Sequence, residues 1–366
     1  MLPFVIARIF RPTFLAVFDL TNLQLGTAFS IYGFVAAIAY FTGEPLADRF
    51  SARRLMAIAL FSTAIGGIVF ASVPSIGVLS VLYGFWGLTT ILLFWAALIR
   101  ATRIWGGDAT QGQAYGILDS GRGLVSALLA SISVAIFAAL LPNEIDVSSL
   151  ADRKAALSWI IWIFSGLTLG TAILVYFAIP ENKAHSSSST DKDRFTLEGL
   201  KAVIRMPAVW LQALIVVCAY VGYKCTDDFS LFAYDVFGYN DIEAARIGTI
   251  TFWVRPFAAL GAGLLGDRFR PSRVLALGFG LLIAGSLVMA SGQFPLHIPW
   301  ILIVTIISTS LAIYSLRGLY FAIFGEAKVP VAFTGSAVGV VSVIGFTPDI
   351  FMGPLMGYLL DRSQAY

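Results

Sequence analysis

Charge is what this chain has least of. Lys, Arg, Asp and Glu make up 12% of its 366 residues, about half the usual share for a soluble domain, while 58% are hydrophobic. A chain so apolar leaves too little polar surface to face water, and its solvent must be largely lipid. Cysteine and histidine are nearly missing as well. Cys218 and Cys225 fall seven apart on one apolar stretch, too far to bridge within a helix, so no disulfide framework is expected. His185 and His297 fall in loops, which argues against a metal cluster and a histidine proton relay. No G-x-x-x-x-G-K-[ST] loop occurs, which disfavours an ATP-driven pump. The start, MLPFVIARIFRP, lacks a basic n-region and a small-residue cleavage site and does not read as a signal peptide. A net charge of +3 makes no case for a nucleic-acid partner. These absences also argue against a membrane enzyme, and no cofactor is expected.

What is present is a series of long apolar runs. LMAIALFSTAIGGIVFASV (55–73) and WIIWIFSGLTLGTAILVYFAI (159–179) match the roughly 20 residues a helix needs to cross a bilayer. The alternating segments of about 10 residues that build membrane barrels are absent. The pattern predicts an all-α polytopic membrane protein with helices over 1–18, 25–47, 54–73, 76–101, 113–141 and 155–178. After a serine-rich, charged break at 179–206 it predicts 207–237, 243–266, 273–292, 298–324 and 331–360. That break reads as a solvated linker between an N-terminal bundle, 1–178, and a C-terminal bundle, 207–366. Fourteen of the 24 Lys and Arg residues fall on the linker's side of the membrane and four on the other. The excess places the linker in the cytoplasm, with the plasma (inner) membrane as the expected location.

Two stretches repeat. GEPLADRFSARRL (43–55) and AGLLGDRFRPSRV (262–274) align Asp48, Arg49 and Phe50 with Asp267, Arg268 and Phe269, and Arg54 with Arg273, at an offset of 219. The same offset sets Gly116 on Gly335. Two matches at one offset, in the same topological slots, mark an internal repeat. The G-x-L-x-D-R-F-x-x-x-R turn between a second and a third helix, complete in the second copy and with Glu44 in place of its glycine in the first, resembles the signature loop of the major facilitator superfamily. The resemblance implies two pseudo-symmetric helix bundles and a site near the membrane midplane. By the offset, helix 7 pairs with residues −12 to 18, so the chain reads as a twelve-helix transporter with part of helix 1 and no helix 12. About eleven spans are then expected, an eleven-helix variant or a non-transporting fragment being the alternatives. The resemblance also makes Asp48, Arg49, Arg54, Asp267, Arg268 and Arg273 a cytoplasmic latch, the carboxylates capping neighbouring helix N termini.

A charge at the bilayer centre costs at least about 2.5–3.5 kcal/mol, so each one there needs a cavity or a partner. Arg255, followed by the helix-kinking Pro256, is suited to gripping a carboxylate or phosphate with paired hydrogen bonds. Lys224, Tyr223, Arg317 and Trp253 are the other candidate substrate contacts, with Trp95 and Tyr320 as candidate walls. In YKCTDDFS (223–230), Lys224 and Asp228 are four apart and fit a pair along one helix face. The alternative rests on the resemblance, in which helices 1 and 7 approach on the outer side. Arg8 or Arg11 with Asp227 or Asp228 would then form an outer gate. Asp349, a lone mid-span acid beside Pro348, is the first candidate for proton coupling, with Asp227 and Asp228 as rivals. Asp119 and Arg122 read as a structural pair. The expectation is a monomeric secondary transporter for a small organic anion, such as a carboxylate, sugar acid or phosphate ester. The glycine-proline signature of drug–proton antiporters is missing from VSALLASISVAIFAALL, which favours symport, proton-coupled by expectation, or uniport over the alternative of proton-coupled efflux.

Overall fold

In the computed structural model, residues 2–106, 111–141, 149–180, 203–291, 299–326 and 334–363 are described. Most of the serine-rich linker with His185, His297, and the side chains of Asp48, Arg49 and Asp267 lie outside the described residues. Among the described residues all regular structure is helical, and ten helices are long and apolar enough to cross a membrane. They begin after a short α1 (Val5–Ile9) and α2 (Arg11–Phe18) with α3 (Asn22–Arg49), α4 (Ala52–Ala71) and α5 (Ile76–Gly87). A π-helical stretch, Leu88–Trp95, carries α5 into α6 (Ala96–Gly106); α7 (Gln111–Leu140) and α8 (Leu150–Ala178) follow. After the linker come α9 (Pro207–Cys225), a 3₁₀ turn Thr226–Asp228, α10 (Phe229–Phe237), α11 (Asp241–Arg268) and α12 (Pro271–Ala290). The chain continues as α13 (Pro299–Leu319), α14 (Ile323–Glu326), α15 (Thr334–Gly345) and α16 (Pro348–Ser363).

Four expected helices are interrupted, 298–324 at the turn 320–322 and three others as follows. Residues 1–18 form two short helices rather than one, with Phe10 at φ −102° and ψ 36° between them. Pro12 has no N–H to give the carbonyl of Arg8, four residues back. The Ser230 hydroxyl donates to that carbonyl instead, at 2.8 Å. Helix 207–237 tightens to 3₁₀ at Thr226–Asp228, and 331–360 breaks at Phe346–Thr347, before Pro348. Asp349 therefore lies in the first turn of α16, where a helix dipole favours a carboxylate, and not at mid-helix.

The chain groups into two compact units: Met1–His185 with Asp228–Thr249 and Asp349–Tyr366, and Ser186–Asp227 with Ile250–Pro348. The first packs α4 on α8 and α3 on α5, with Trp86, Tyr83, Phe10, Phe14, Phe70 and Phe137 wholly buried. Along α3 and α16 the backbones approach at glycines. A Cβ on Gly26 would overlap the Gly353 carbonyl, one on Gly33 the Asp349 carbonyl, and one on Gly357 the Asn22 carbonyl. Small residues four apart, here Gly353 and Gly357, are the membrane device for such close packing. The second unit packs α12 on α13 and α9 on α15 around Val209, Ala213, Val216, Leu275, Leu316 and Val341.

Candidate functional site

In the first unit, capped helix starts hold a buried polar network. Thr21 and Gln24 form a reciprocal cap at α3, Ser149 and Asp152 one at α8, and Asn240 with Glu243 one at α11. These caps fix Asn22 and Asp241 at the first helical positions. The Arg11 guanidinium lies 2.9 Å from the Asp228 carboxylate and donates to the Asn22 side-chain oxygen at 3.2 Å. Both charges are buried, and so is Arg8. Asp241 accepts from the Thr13 hydroxyl at 2.6 Å on one oxygen and faces Arg153 at 3.2 Å on the other. The Asp361 carboxylate accepts from the backbone N–H groups of Asn22 and Leu23, each at 2.9 Å, closing the N terminus of α3.

In the second unit, Lys224 pairs with Asp227 at 3.0 Å. A 3₁₀ turn has three residues per turn and eclipses i with i+3, which brings these two side chains together. Arg317, on α13, faces the tyrosines of α9. Its guanidinium carbon sits 3.8 Å from the ring centre of Tyr223 and 5.3 Å from that of Tyr220. Tyr314 meets Tyr223 edge-on at 6.2 Å, and Phe346 lies against Tyr220 at 5.2 Å. Side chains on a helix lean toward its N terminus, which carries this cation from the end of α13 back toward the middle. Among the described residues Arg317 has no carboxylate partner, and its Nη1 is shielded and lacks an acceptor.

The remaining candidates are spread more widely. Arg255 is half-buried on α11 beside Pro256, and Trp253 on the same helix is exposed. Tyr320 is buried, stacks edge-on with Phe321, and accepts through its carbonyl from the Gln212 amide. Asp349 is half-buried against Gly33. Asp119 and Arg122 stand 4.0 Å apart, both exposed, with Arg122 over the Trp95 ring at 5.1 Å. Of the latch set, Arg54, Arg268 and Arg273 are exposed. Beside them Glu326 accepts from the Ser272 backbone N–H at 3.1 Å and caps α12.

Sequence reasoning missed Asp241, Asp361, Ser230 and the π-helical stretch. Asp361 had a signal, since Asp349, Gly353, Gly357 and Asp361 recur every four residues along one face. The π-helical stretch had none. There Thr90 donates to the Trp86 carbonyl at 2.6 Å and shares a hydrogen bond with Tyr32, while Thr63 and Thr89 pair at 2.9 Å.

Ten apolar spans among the described residues, with buried ion pairs, fit a polytopic integral membrane protein. The chain belongs to the Major Facilitator Superfamily, a family of secondary transporters: that family's model matches residues 2–347. It is 27% identical over 355 residues to the inner membrane protein YqcE of Escherichia coli strain K12, covering 94% of this chain and 80% of that one. It is similar in fold to the crystal structure of the nucleoside transporter NupG, with TM-score 0.70, 14% identity, and 97% and 90% of the two chains covered. The same holds for the Escherichia coli fucose:proton symporter FucP, with TM-score 0.55, 16% identity, and 98% and 92% covered.

Proposed function

We propose that this protein is a secondary transporter of the inner membrane that carries a small organic anion by alternating access in symport with protons. The observation behind the anionic substrate is Arg317, a cation held against Tyr223 with no carboxylate partner among the described residues. An unpaired guanidinium shielded from water is costly, and a substrate carboxylate or phosphate is the partner that fits its fork. Arg255 and Lys224, the latter paired with Asp227, are the further cationic contacts in the same half of the sequence, and Tyr223 and Trp253 are the aromatic ones. The Arg11–Asp228 pair, with Arg8 and Asp227 beside it in sequence, serves as the outer gate. Asp349 carries the proton, Asp227 and Asp228 being the alternatives. Asp48, Arg49, Arg54, Asp267, Arg268 and Arg273 latch the cytoplasmic side, where the linker lies, and the halves 1–178 and 207–366 rock as pseudo-symmetric bundles. The relation to the fucose:proton symporter in fold supports proton coupling.

The test is uptake into proteoliposomes under an imposed inward proton gradient, with a panel of carboxylates and phosphate esters beside neutral sugars and nucleosides. The expected result is accumulation of an anion, abolished in Arg317→Gln and uncoupled from the gradient in Asp349→Asn. Uptake of a neutral solute by the Arg317→Gln protein at the parent rate would sink the anionic reading. Gradient-driven accumulation by Asp349→Asn would remove Asp349 as the carrier.

A further inference from the structure

Serine and threonine hydroxyls in these helices have a habit. Thr63, Ser131, Ser133, Ser165, Thr168, Thr249, Thr305 and Ser308 each donate to a carbonyl three or four residues back. Two buried hydroxyls on α13 break it, those of Thr309 and Ser310, which have no hydrogen-bond partner among the described residues. Thr309 has a packing reason, because its hydroxyl fills the space where Gly285 of α12 lacks a Cβ. Ser310 has no such reason and is wholly buried. It stands seven residues before Arg317 and four before Tyr314, so at about 100° per residue the three share one face of α13. That face meets Tyr223 and Tyr220 of α9. One stripe thus carries a guanidinium nitrogen without an acceptor and, within about 10 Å along the helix, a hydroxyl without a partner. Buried polar groups left open in this way are rare in folded proteins and call for a ligand that closes them.

The geometry points to a two-part binding site, in which Arg317 takes the charged end of the substrate and Ser310 takes a hydroxyl on its body. The ligand class is a small organic anion bearing hydroxyl groups within a few atoms of its charge, as in sugar acids, sugar phosphates and hydroxy acids. This rests on the anionic reading of Arg317 and adds the hydroxyl requirement, with Ser310 as the residue that imposes it. A carboxylate without hydroxyls satisfies only half the stripe. A neutral polyol leaves the guanidinium open.

The experiment is isothermal titration of the purified full chain in detergent with D-gluconate, D-glucuronate and glucose 6-phosphate, against propionate and sorbitol. At least one hydroxylated anion is expected to bind more tightly than propionate, and sorbitol not to bind. Ser310→Ala is expected to weaken the hydroxylated anion about fivefold, the worth of one neutral hydrogen bond, and to leave propionate unchanged. The same change is expected to keep or raise the melting temperature of the unliganded protein, since it removes a hydroxyl with no partner. Arg317→Gln is expected to abolish binding of every anion, and Arg317→Lys, which keeps the charge but not the fork, to weaken it. If Ser310→Ala leaves the hydroxylated anion unaffected while Arg317→Gln abolishes it, the two-part site falls and the anionic reading stands. Hydroxylated anions binding no better than propionate would likewise overturn the two-part site alone. Should Arg317→Gln and Arg317→Lys both bind anions like the parent, or should no anion bind, both readings fall together.

Discussion

At the residue scale, the interior is governed by backbone and side-chain groups that need partners. Pro12 deprives the Arg8 carbonyl of its helical donor and Ser230, far along the chain, supplies one. Ser230→Ala removes that donor and leaves a buried carbonyl open, a loss of about 1–3 kcal/mol that a thermal melt of the detergent-solubilised protein would register. Glu326 offers a pH test on the surface. Hydrogen bonds from Ser272, and behind them Arg270 and Arg273, hold its carboxyl below the ordinary glutamate range. A depressed carboxylate stabilises the fold above its unfolded value and loses that contribution as pH falls through the folded one. Glu326→Gln is therefore expected to melt slightly lower than the parent at pH 7, the gap closing below about pH 4. A gap of the same size at both pH values would show that the cap acts through shape alone. Charge was legible in the sequence at this scale, because an ionised group in an apolar run is conspicuous; partners were not. Lys224 sits within helical reach of both Asp227 and Asp228, and spacing alone does not show that Asp227 comes within 3.0 Å of it.

At the scale of helices, the contact of α3 with α16 is built on missing side chains. Gly353→Ala sets a Cβ into the Gly26 carbonyl and forces the two helices apart, so a clear fall in melting temperature is expected. Gly121→Ala, with open space around it on α7, is the control: it is expected to be neutral, or to stabilise by up to about 1 kcal/mol through helix propensity. The ion pairs of the first unit give a second test. Asp228→Arg sets two guanidiniums face to face, and breaking a buried pair costs about 3–5 kcal/mol. In a cysteine-free background, a cysteine replacing the buried Ala245 is expected to react with an outer-side thiol reagent much faster once that charge is reversed. An unchanged rate would end the gate reading. Helix existence was legible from apolar run length alone. The breaks were less so: Pro12 and Pro348 announce two of them, while nothing in TTILLF marks a π-helical turn and nothing in CTDD a 3₁₀ one.

At the scale of the whole chain, the repeat was the strongest signal, because two copies of a D-R-F turn at one offset survive any uncertainty over single helices. It led to the family, and the family model covers 2–347. What spacing could not reach was the grouping of side chains contributed by distant elements, such as Thr13 and Arg153 on Asp241, or the tyrosines of α9 around Arg317. Those depend on rotation of each helix about its axis, which run length does not fix. The short 3₁₀ turn at Thr226–Asp228 carries one more consequence. In regular α-helix the neighbour of Lys224 one turn on is Asp228, and in the tightened turn it is Asp227. The tight turn therefore keeps a cation and an anion on one short arc of backbone, so that the pair travels with its helix as a neutral unit wherever that helix goes.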